Sequence, residues 1–173
     1  ENPVNNEDTY VDLFISDWYI GYRSSPTYNV ALELYNPKDE PVDLSNYILR
    51  RTQNGSHWME SSWIRLDGVL PPNSTYVLTR QASDESIQNC ADLVEPDEFL
   101  KHNGDDGIKI THIGYLPDVF QNDTTAWMKM SITLDAIGYA EQDPGSAWDV
   151  SGVGEATRYY MLTRKMDVCG GNG

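Results

Sequence analysis

The stretch Val30-Ala31-Leu32-Glu33-Leu34-Tyr35-Asn36-Pro37 constrains the fold most. Val30, Leu32 and Leu34 recur at every second position, so in an extended backbone they share one face, and Ala31, Glu33 and Tyr35 share the other. Pro37 has no N–H and biases Asn36 away from helix, which ends the pairing. The stretch reads as a half-buried strand with a hard stop. A strand with one apolar face needs a second layer to cover it, and both halves of the chain offer candidates.

The strand candidates are short and separated by turn residues. Leu13 to Trp18 reads as a first strand with bulky residues on both faces. A loop follows over 21–29, with Tyr22 and Tyr28 as packing lids. Val42 and Leu44 point inward before a strand over 47–53, and Asn54-Gly55 signals a type I′ hairpin into a strand over 57–64. Pro71-Pro72-Asn73 makes a corner before a strand over 75–79. Ser83-Asp84-Glu85 resembles a helix start, making Asp84–Ala91 the single candidate helix. Further strands are expected at 107–110, 131–139 and 158–164. Residues 1–11 read as a flexible arm, 12–168 as one domain and 169–173 as a flexible end. The pattern predicts an all-β antiparallel sandwich with at most one short helix.

Charge narrows the function. Twelve Lys and Arg against 27 Asp and Glu leave a net charge of −15. Such a field repels phosphate backbones and anionic membrane surfaces, so a nucleic-acid partner is not expected. No apolar run approaches the roughly 18 residues of a membrane span, so membrane insertion is not expected either. Cys90 and Cys169 are too far apart for a C-x-x-C motif and too few for a zinc cage. A disulfide between them would suit an oxidising compartment, and two unpaired buried thiols are the alternative; the bridge is the expectation.

Phe14-Ile15-Ser16, Ala31 to Pro37, Val42 to Tyr47, Leu70-Pro71-Pro72 with Tyr76-Val77-Leu78, Asn103-Gly104-Asp105-Asp106-Gly107, Asp135-Ala136-Ile137-Gly138, Asp143 to Trp148 and Leu162-Thr163-Arg164-Lys165 occur in one order along the chain. In that order and spacing the chain resembles lamin-tail domains of secreted bacterial proteins over roughly residues 12–168. The resemblance implies an immunoglobulin-like sandwich. It also implies a module often attached to extracellular nucleases, phosphatases and adhesins, usually without catalysis of its own. Three features depart from the family pattern: an insertion over Gly114–Lys129, the cysteine pair, and a chain that stops at Gly173 where relatives commonly run on. The chain is therefore expected to be one piece of a larger protein at the cell surface or outside the cell.

Candidate sites follow from residue chemistry. Asn103, Asp105 and Asp106 carry oxygen ligands suited to Ca²⁺ but lack the spacing and terminal Glu of an EF-hand loop, and a plain turn explains the same residues. His102 beside them reads as a surface or hydrogen-bonded histidine. No G-x-S-x-G, H-E-x-x-H or P-loop occurs, so enzymatic activity is not expected. Asp143-Pro144-Gly145-Ser146-Ala147-Trp148 reads as a turn closing one end of the sandwich, or as an aromatic platform for sugars. Trp58, Trp63 and Trp127 are further ring candidates for glycan or protein contact. The insertion carries Tyr115, Phe120, Trp127 and Met128, an apolar density that either packs back on the sandwich or meets a partner. Contact with a protein partner or with another copy of the chain is expected there, and a glycan-targeting role beside a linked enzyme is the alternative.

Overall fold

The computed structural model describes residues 11–21, 29–58, 62–96 and 98–172. Residues 1–10 of the expected 1–11 arm, the lids Tyr22 and Tyr28, and residues 59–61 of the expected 57–64 strand lie outside that set. The strands are β1 (Phe14–Gly21), β2 (Asn29–Tyr35), β3 (Val42–Asp43), β4 (Tyr47–Arg51), β5 (Trp63–Arg65), β6 (Val69–Leu70), β7 (Thr75–Arg80), β8 (Leu93–Glu95), β9 (Ile108–His112), β10 (Ile132–Ile137) and β11 (Met161–Thr163). One sheet has the order β11-β1-β2-β7-β8, the second β10-β9-β4-β5, and a small pair joins β3 to β6. The fold is an all-β sandwich whose pairings are antiparallel except for β7 and β8.

The organising strand behaves as its alternation dictates. Val30, Leu32 and Leu34 of β2 are fully buried, and they meet Leu49, Ile108, Ile110 and Leu134 of the facing sheet in one continuous core. The strand stops where expected. Asn36 turns its side-chain amide onto the carbonyls of Glu40, Leu70 and Pro71, and its Oδ1 accepts from the Lys38 N–H. Asn54 and Gly55 both have positive φ, and the Ser56 N–H donates to the Gln53 carbonyl, so the expected type I′ turn forms. It does not close a hairpin, because β4 ends at Arg51 and its partner β5 begins only at Trp63.

Two helices form where one was expected. α1 (Glu85–Gln88) lies in the crossover that lets β7 and β8 run parallel. α2 (Thr124–Met130) lies inside the insertion, started by Asp123, whose carboxylate accepts from the N–H groups of Thr125 and Ala126. Its position follows from β4. Tyr47 and Leu49 face the main core, so Ile48 and Arg50 point out of the other face of the sheet. The insertion covers that face. Ile48, Ile113, Leu116 and Trp127 form a second apolar cluster, and Arg50 donates to the Met128 carbonyl.

The expected disulfide is absent: Cys90 and Cys169 are both free and exposed. Cys90 sits in the crossover leading into β8, and Cys169 follows β11, at the opposite edge of the five-stranded sheet. Four strand spacings separate those edges, about 19 Å. A disulfide requires Cα atoms within about 7 Å.

Candidate functional site

The outer edges β10 and β11 lie on one flank, where β1 packs against β10. Two cavities run along β10 there, of about 440 and 500 Å³. Ile132 to Leu134 line the first and Ala136 to Gly138 the second, so Asp135 stands between them.

Asp135 is fully buried and closes a clasp. Its Oδ2 accepts from the Ile15 N–H at 2.9 Å and pairs with the Arg164 guanidinium, and its Oδ1 accepts from the Asn172 N–H at 3.2 Å. Arg164 Nε donates to the Ile15 carbonyl at 2.9 Å, and its guanidinium lies 5.4 Å from the centre of the Phe14 ring. The reason is local. β11 pairs only with Asp17 to Tyr19 of β1, which leaves Ile15 beyond the ladder, and the two charged side chains take its backbone groups.

The first cavity is mostly apolar, with Leu13, Tyr115, Ile132 and Leu134 in its wall. Its polar side chains include Thr133 and Asp12, and Asp12 is 2% exposed. Asp12 Oδ1 accepts from the Leu13 N–H, the Tyr47 hydroxyl at 2.7 Å and Lys38 Nζ at 3.1 Å. Burial, then the Asp12 carboxylate, push the Tyr47 phenol above its ordinary range. His112 lies behind, edge-on to Tyr47 and 4.2 Å from the Tyr115 ring, and burial holds its imidazole below the usual range. Of the lining side chains, Tyr115 and Ile132 are each about half exposed.

The second cavity mixes polar and aromatic groups: Asp17, Trp148, Tyr139, Ser151, Thr163 and Lys165 all line it. Trp148 is buried, and the exposed Tyr139 ring stands edge-on to it with centroids 5.5 Å apart. Gly138 has φ +75°, and a Cβ there would fall 2.5 Å from Trp148 Nε1, so only glycine lets the indole seat as it does. Asp17 Oδ1 and Trp148 Nε1 are buried and have no partner among the described residues.

The residues singled out from sequence fall in different places. Of the insertion residues, only Tyr115 reaches the flank. Trp127 is buried, its Nε1 donating to the Phe120 and Gln121 carbonyls, and Phe120 and Met128 pack half-buried on the second cluster. Trp63 stands edge-on to Trp127, and Trp58 lies under Lys109 Nζ at 4.6 Å, so neither is an open platform. Asp105 and Asp106 are buried, and burial pushes both carboxyls up. Asp106 accepts from the Asn54 N–H at 2.8 Å and sits 3.5 Å from Arg51 Nη1. Asn103 is half-buried beside them. A Ca²⁺ ion would have to displace Arg51, and no group of three or more His, Cys, Asp or Glu suited to a metal occurs among the described residues.

His102 differs from the sequence expectation. It is neither on the surface nor hydrogen-bonded among the described residues, and it stacks on Trp18 at 4.6 Å. Burial, then Arg51 and Arg80, lower its pKa to about 3. The clasp and the carboxylates Asp12 and Asp17 went unassigned in the sequence. Asp135 and Arg164 both fall inside recognisable motifs, yet nothing in those motifs says that the two meet. Compared with models of protein families, with curated proteins and with solved structures, the chain matches none.

Proposed function

We propose that this domain is a non-catalytic interaction module, part of a larger protein outside the cell or at its surface, and that it meets a protein partner or another copy of itself along the apolar part of the β10 flank. The observation that carries the reading is the pairing of Tyr115 and Ile132, both about half exposed, with Leu13 and Leu134 in the wall of one mostly apolar cavity. Exposed aromatic, Met and aliphatic side chains around a concave patch are what protein contacts use. The non-catalytic part draws support from the histidines: two of three, His102 and His112, are held in aromatic stacks. The extracellular part rests on the resemblance to lamin-tail domains.

The test is a photo-crosslinking amino acid placed at position 132 and, as a comparison, at position 94 on the β8 edge. The protein is expressed in its source cell and also sedimented alone over a wide concentration range. Crosslinks from 132 but not 94, to a second copy or to one recurrent protein, are expected. Crosslinks from 94 alone, or a monomer with no crosslink at either position, would refute the reading.

A further inference from the structure

We propose that the second cavity is a binding subsite for a neutral saccharide, a function beyond the protein contact assigned to the apolar part of the flank. At about 500 Å³ it falls within the range of small-molecule sites. Its wall holds two buried polar atoms without partners among the described residues, and they are of opposite kind. Asp17 Oδ1 only accepts while its carboxyl is ionised, and Trp148 Nε1 only donates. An apolar peptide side chain would leave both unmade, and a bare cation would leave the indole unmade. A hydroxyl does both jobs, donating to a carboxylate oxygen and accepting from an indole N–H.

The surroundings suit the same ligand. Tyr139 is 67% exposed and touches Trp148 by edge contact, which leaves ring surface at the rim for the C–H face of a sugar. Thr163 and Lys165 add exposed polar groups at the mouth. The net charge of −15 selects against uronate, sialylated and sulfated chains by repulsion, so the class is neutral or N-acetylated.

The experiment screens the whole domain against cellobiose, chitobiose, maltose and mannobiose, with heparin fragments as the acidic comparison, by tryptophan fluorescence and saturation-transfer NMR. Saturable binding of at least one neutral disaccharide is expected. Trp148→Phe keeps the ring and loses the N–H, and Asp17→Asn gives up the charged acceptor; each should weaken binding about tenfold. Tyr139→Ala alters an exposed side chain, so it keeps the test open should Trp148→Phe fail to fold, and it too should weaken binding. Tyr115→Ser, in the other cavity, should leave saccharide binding unchanged. No binding of any neutral disaccharide overturns the assignment, as does binding that survives Tyr139→Ala and Asp17→Asn, or binding confined to heparin. Because the protein contact is read by crosslinking at position 132, failure of one assignment is distinguishable from failure of the other.

Discussion

The two cavities along β10 share a strand and differ in almost everything else. In the first, the buried carboxylate of Asp12 holds three donors on Oδ1 while its Oδ2 has no partner among the described residues, and most of the remaining wall is apolar. In the second, a carboxylate oxygen and an indole N–H are left unanswered beneath an exposed ring. The difference comes from what lies behind each wall. Tyr47 and His112 stand behind the first, whereas Trp148 against Gly138 stands behind the second. Both cavities thus hold an unanswered carboxylate oxygen, and what the second adds is an unanswered donor, the indole N–H, beside an exposed ring.

The sharpest way to break this contrast is to remove the wall between the cavities. Asp135→Ala strips Arg164 of its partner and the Ile15 N–H of its acceptor, and should cost about 4 kcal/mol in urea unfolding, in the range for breaking a buried pair. A loss below about 1 kcal/mol would mean the clasp is not what holds the two regions apart. Trp127→Ala should cost about 3 kcal/mol through the void left over Ile48 and Ile113, and hydrogen exchange should quicken over α2 while β11 stays protected. Equal exchange in both regions would show that the insertion supports the whole flank.

Acid should act on one side only. His102 is held neutral down to about pH 3, whereas in the unfolded chain it takes a proton below about 6.5. The unfolded state then binds more protons, so stability falls as pH drops from 6.5 toward 3, by about 1.4 kcal/mol per unit once well below 6.5. Asp105 and Asp106 work the other way: carboxyls with raised pKa favour the folded state as pH falls toward 3.8, so they offset the histidine at the acid end. His102→Phe, which keeps a ring on Trp18, should flatten the slope between pH 6.5 and 5 in urea titrations. An unchanged slope would place the acid sensitivity elsewhere. The smallest effect belongs to the surface: Tyr115→Ser should change stability by no more than about 0.5 kcal/mol and still remove crosslinks at position 132.

Strand β2 was legible in the sequence because its faces alternate, and the Asn54-Gly55 turn because only certain residues adopt positive φ, but the long connection that carries the chain from β4 to β5 was not. The second cluster was harder to read. Tyr47 to Arg50 do not alternate, since β4 is covered on both faces, and the cover comes from residues more than sixty positions away. The start of α2 was visible in principle, because Asp123 precedes Thr-Thr-Ala-Trp as a helix cap would. Strand β8 escaped because Leu93-Val94-Glu95 is too short to show a period. Of the candidate site, Trp148 and Tyr115 were found by residue type, but Asp12, Asp17 and Asp135 were not. Among 27 acids, what sets these three apart is the partners their oxygens find or lack, and that is a property of the folded chain.

The clasp also has a consequence in time. Its members, Ile15, Asp135, Arg164 and Asn172, come from both ends of the chain, so neither cavity has its dividing wall until almost the whole sequence is available. During synthesis from the N-terminus, β2, β7 and the facing strands β4 and β9 can pair while Ile15 still waits for its partners. Contacts of such sequence separation form late and slowly. Both cavities are thus the last part of the domain to exist, and a ribosome-bound chain ending before Arg164 would carry a sandwich with that flank still open.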